Sequence, residues 1–199
     1  VTYAYPLTAT FRIVTLSPEL QVTDANGQVL MQVKQKLLTL REDTTVFADA
    51  AKTQPLYRMK ADRVIGFRAV HRITRLRDDQ PLGAVRAAGL RSLWSARYDV
   101  TDAQERPVLT VREENPWIKV IDGLVDEIPF VGWIVGMFIN PAYLMENPAG
   151  EVAYRIRKRR SLVERHFTLE QVGTPDANLD PDLVVLALIE TVLLERDRG

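Results

Sequence analysis

The chain has 199 residues, 46% of them apolar, with 26 Lys and Arg balanced by 26 Asp and Glu. That is the make-up of an ordinary globular protein, and one large all-β unit of this length buries a sizeable core. Zero net charge gives no global attraction to nucleic acid. The absence of cysteine removes disulfides, thiolate nucleophiles and cysteine-bound metals, and fits a reducing cytoplasm. Two histidines, His71 and His166, all but exclude a multi-histidine metal site or a Ser-His-Asp triad by inventory alone.

A unit recurs along the chain, an acidic or Asn-containing turn followed by an alternating apolar strand. It runs first from Asp24 through Asn26-Gly27 to Val29–Val33, and again from Asp49 into Pro55–Met59. The third copy starts at Asp78-Asp79 and leads to Leu82–Val85, and the fourth passes from Asp102 to Pro107–Val111. A fifth, Glu146-Asn147-Pro148-Ala149-Gly150, feeds Val152–Ile156. Spacing of about 25 residues between the first four copies is the length of two strands and their turns. Period two sets Val29, Met31 and Val33 against Leu30, Gln32 and Lys34, and sets Val152, Tyr154 and Ile156 against Ala153, Arg155 and Arg157. Return strands fall near Arg63–Arg72, Leu93–Thr101 and Leu162–Val172. The total of eleven or twelve strands predicts closure into a barrel, because a long open sheet leaves bare edges.

Between the fourth and fifth copies the spacing stretches by about 20 residues, over an insertion at 116–140. Ile118, Ile121, Leu124, Val125 and Ile128 lie at helical spacing, and the run Ile128–Ile139 is almost wholly apolar yet too short to span a bilayer. Three roles fit it: a plug over one barrel end, a membrane contact through Trp117, Phe130, Trp133 and Phe138, or a surface for homo-oligomerisation. The fifth strand then carries Arg155, Arg157, Lys158, Arg159 and Arg160, with Arg165 on its return strand. Period two aligns Arg155, Arg157 and Arg159 into a positive stripe suited to lipid phosphates, or to carboxylates on neighbouring strands.

Asp176, Asn178, Asp180 and Asp182 place oxygens at alternate positions, as at the start of a calcium loop, but Pro181 and Ala187 stand where such a loop needs Gly and Glu. Capping explains Asp180-Pro181-Asp182 fully, with Asp180 as N-cap and Pro181 in the first helical position. The helix that follows, within 180–196, is apolar on every face and too short to cross a membrane. Inside an all-β chain, only a barrel interior is large enough to take it. Glu190, a lone acid in that run, then needs an arginine partner or a proton, or reads a ligand in the barrel mouth. Phosphate loops, H-E-x-x-H and nucleophile elbows are absent.

Hairpins of the Asp-x-x-Gly-x-Val type, ending in an apolar helix opened by Asp-Pro-Asp, make the chain from about Leu7 to Leu194 resemble the LURP-one-related proteins. With the phospholipid scramblases, these belong to the tubby C-terminal-like group. The resemblance implies a single barrel domain over 1–199, with twelve antiparallel strands closed around a buried hydrophobic C-terminal helix. It also implies a non-enzymatic module that binds anionic phospholipid, peripheral at a membrane; the composition and the missing motifs add a cytoplasmic setting, no cofactor and no nucleic-acid partner. A soluble structural or protein-interaction barrel is the alternative.

Overall fold

The computed structural model describes residues 2–12, 19–34, 43–62, 70–87, 97–114, 142–160 and 164–196. Twelve strands follow one another: β1 (Leu7–Arg12), β2 (Glu19–Thr23), β3 (Val29–Lys34), β4 (Asp43–Phe47), β5 (Pro55–Ala61) and β6 (Val70–Arg75), then β7 (Gln80–Ala87), β8 (Arg97–Asp102), β9 (Pro107–Glu113), β10 (Ala142–Glu146), β11 (Val152–Arg160) and β12 (Glu164–Gln171). Each is hydrogen-bonded to its neighbours in sequence, and β1 pairs with β12, so the meander closes into an antiparallel barrel. The expected fold class is thus the observed one. Closure gives each of the twelve described strands a partner on both sides.

Five hairpin turns share one end of the barrel, and four of them share one construction. Asp24 accepts backbone N–H bonds from Asn26 and Gln28, Asp49 from Thr53 and Gln54, Asp102 from Gln104 and Arg106, and Asn147 from Ala149 and Glu151. The short side chain stands in for a backbone acceptor, which is the reason the repeat begins with Asp or Asn. The fourth turn residue enters the left-handed region, at φ 78° for Gly27 and 84° for Gly150. Lys52, Asp79 and Glu105 take the equivalent place at 54–61°.

Just past each turn a β-bulge inserts one residue: Leu30, Leu56, Leu82, Val108 and Ala153 are passed over in the pairing. The first four lie 26 residues apart, so the repeat read from the sequence is an exact structural period. The bulge also alters the expected alternation. Ala153 and Tyr154 are both buried, as are Leu82 and the residues after it, because the extra residue turns inward rather than outward. Leu30, Leu56 and Val108 pack against the core in the same manner.

The interior holds α1 (Pro181–Arg196), the only helix among the described residues. Every residue from Leu183 to Leu193 is buried, on all faces of the helix. Its large apolar side chains each gain about 1.5–3 kcal/mol from leaving water, which only a surrounding wall of strands can supply. The wall is Leu7, Leu20, Met31, Met59, Ile73, Tyr98, Tyr143 and the other inward residues of the strands. Gly83 on β7 leaves no room for a side chain between the neighbouring strand and the helix. A Cβ there would lie 2.2 Å from the Thr101 carbonyl oxygen and 3.2 Å from Leu183 Cδ1.

Candidate functional site

The helix enters at the turn end. Asp180 Oδ1 accepts the Asp182 N–H at 2.9 Å, the capping bond expected from Asp180-Pro181. Asp182, in the first turn, has a second task that its capping role does not reveal. Tyr3 donates its hydroxyl to one carboxylate oxygen and Tyr57 of β5 donates to the other. Burial first, then the adjacent carboxylate, raises both phenols far above their ordinary range and keeps them protonated. Tyr5 stacks beside Tyr154 with ring centroids 5.5 Å apart, so the N-terminal residues are tied across this end of the barrel. The Asp176–Asp182 segment is accounted for by such bonds, with Asp176 Oδ1 accepting the Asn178 N–H at 2.8 Å. Among the described residues no group of three or more His, Asp or Glu is arranged to hold a metal ion.

Further along the helix, Glu190 is 3% exposed in its side chain and its Oε1 lies 3.0 Å from His71 Nδ1, the spacing at which an imidazole N–H donates to a carboxylate. The sequence reading expects for Glu190 an arginine partner, a proton or a ligand, and does not single out His71 as its neighbour. The structure brings the two together instead. The signal was parity: Ile73 of β6 is buried, and His71, two residues before it, shares its face.

The basic run lies along β11 toward the far end. Arg155 Nη2 is 2.8 Å from Glu114, and Arg157 Nε is 3.5 Å from Glu170 of β12. Lys158 alternates with these and sits over the Phe167 ring at 5.7 Å, on the side of the buried Tyr154 and Ile156. The antiparallel register sets Arg159 opposite His166 and Arg160 opposite Arg165. Arg12 on β1 stands one strand further, opposite Glu164.

No protein-family model, curated protein or solved structure matches the chain. The residues at 116–140, with Trp117, Phe130, Trp133 and Phe138, lie outside the described residues. The ends from which that segment departs and returns do not. Glu114 is bonded to Arg155, and Ala142 is in register with Arg157, so both its roots adjoin the basic strand. No helix among the described residues is long and apolar enough to cross a membrane.

Proposed function

We propose that the barrel is a non-enzymatic binding module that docks on anionic phospholipid through the far end of β11 and β12. One observation carries this reading: the backbone register gathers Lys158, Arg159 and Arg160 at the end of one strand beside Arg165 and His166 at the start of the next, with Arg160 opposite Arg165. Like charges in register repel across a sheet, and a row of phosphates offsets that repulsion. Arg155 and Arg157, held by Glu114 and Glu170, form the solvated flank of the same strand and contribute less. Twelve strands around a buried helix agree with the architecture that likeness to the LURP-one-related proteins implies. A cysteine-free chain of this kind suits the cytoplasmic face of a membrane, where anionic phospholipid is found.

Sedimentation with vesicles tests the proposal. The protein is expected to pellet with phosphatidylcholine vesicles containing phosphatidylserine, to stay in solution with phosphatidylcholine alone, and to be released by salt. At about 1 kcal/mol per cation near an acidic surface, the triple substitution Arg159→Gln, Arg160→Gln, Arg165→Gln weakens binding on the order of a hundredfold. Equal recovery in solution with both vesicle types removes the proposal. The alternative, a protein-interaction barrel, finds little to dock on among the described residues, where Val172 is the single exposed large apolar side chain.

A further inference from the structure

At the turn end, remote from the basic strand, a cleft of about 540 Å³ opens beside the helix entry, bordered by Tyr3, Leu56, Tyr57, Arg75, Asp180 and Asp182. A second hollow of about 690 Å³ adjoins it and shares Arg75, Asn178 and Asp180. The polar groups here are unequally occupied. Asp182 is spent, each carboxylate oxygen taken by a tyrosine hydroxyl. Asp180 uses one carboxylate oxygen as the helix cap, and its side chain makes no other hydrogen bond among the described residues. Arg75 is gripped from behind, its Nε 3.0 and 3.2 Å from the two Asp78 oxygens, and its terminal nitrogens make no hydrogen bond among the described residues.

Arg75 and Asp180 are near enough to feel each other's charge, yet no ion pair joins them. Opposite charges sharing a partly enclosed cleft attract strongly enough to close up when their side chains are free to do so. These are not free, since capping fixes one and Asp78 fixes the other. The result is a positive and a negative group pinned apart across a space that Tyr3, Tyr57 and Leu56 also line, with the largely exposed Arg77 at its rim on the side of Asp78. We propose that this cleft binds a small zwitterion, its ammonium on Asp180 and its anionic oxygens on Arg75. The Tyr3 and Tyr57 rings add a cation–π surface for the ammonium, and Leu56 faces the apolar remainder. The volume is in the range of small-ligand sites. Two sources share this chemistry, a free α-amino acid and a phosphoethanolamine headgroup.

The test is a titration of the ¹⁵N-labelled full chain, followed by amide shifts, with L-leucine, O-phosphoethanolamine, acetate and methylammonium. Saturable shifts at turn-end amides are expected from at least one zwitterion, with neither half-ligand reproducing them at the same concentration. A response to leucine identifies the free amino acid, and a response to phosphoethanolamine alone identifies the headgroup. Asp180→Asn keeps the helix cap, since Asn caps as well as Asp, and removes only the charge. Asp180→Asn and Arg75→Gln are each expected to weaken binding about tenfold or more, while the triple arginine variant of β11–β12 binds as the parent does. Absence of saturable shifts with both zwitterions, equal response to a half-ligand, or unchanged affinity in both variants overturns the proposal.

Discussion

The His71–Glu190 contact offers a direct test of how the barrel interior tolerates charge. Glu190 is 3% exposed in its side chain and His71 12%, so neither regains water when its partner is removed. His71→Leu leaves a buried carboxylate without its imidazole, a loss of about 3–5 kcal/mol. Glu190→Leu strands a neutral-capable donor nearer the surface and costs about 1–3 kcal/mol. The double variant replaces both by apolar groups in a wall already built of Leu, Val and Ile, and is expected to lose less than the two single losses together, because a buried pair often breaks even against well-packed hydrophobes. Urea unfolding at neutral pH of the parent, both single variants and the double gives the coupling directly, expected at about 2–3 kcal/mol in favour of the double. If the double variant loses the sum of the two single losses, within about 0.5 kcal/mol, the pair carries no energy of its own and the reasoning fails.

Two further outcomes follow from the strands and turns. Gly83→Ala forces a Cβ to within 2.2 Å of a backbone carbonyl that cannot swing away, and is expected to cost about 1–3 kcal/mol by urea unfolding, with the loss falling when Leu183 is shortened to Val only if the helix contact dominates. Asp49 is held below the ordinary aspartate range, first by the Thr53 N–H and further by Gln54, so its ionised form is favoured in the folded state. Its contribution is complete above the unfolded aspartate value and is lost as pH falls through the lower folded value. The parent is therefore expected to lose thermal stability on acidification over that window more steeply than Asp49→Asn, and parallel melting curves for the two would refute the assignment.

Much of this architecture was legible because it repeats. Asp24, Asp49, Asp102 and Asn147 announce their turns by chemistry that acts within five residues, and alternation on the strands that follow needs no distant partner to be recognised. The helix was legible for the opposite reason: a run with no polar face has a single place to go. What stayed hidden depends on closure. Tyr3 and Asp182 are 179 positions apart and meet only once β1 seals against β12. The bulges at Leu30, Leu56, Leu82 and Val108 leave no mark beyond one apolar residue out of phase. The split of the basic run, with Arg155 and Arg157 on carboxylates and Lys158 over Phe167, follows from which strands lie alongside.

The seam between β1 and β12 has a consequence for assembly. The helix occupies the bore of a ring whose seam joins β1 to β12, the two strands farthest apart in sequence, and it follows the last of the twelve staves. Ten or more staves can stand side by side during synthesis, but the hoop has nothing to tighten on until Leu183–Leu193 arrive. Closure and plugging are then one event, reached through contacts of very large sequence separation, which makes the final step slow and leaves the unsealed sheet open to wrong pairings until the helix is in place.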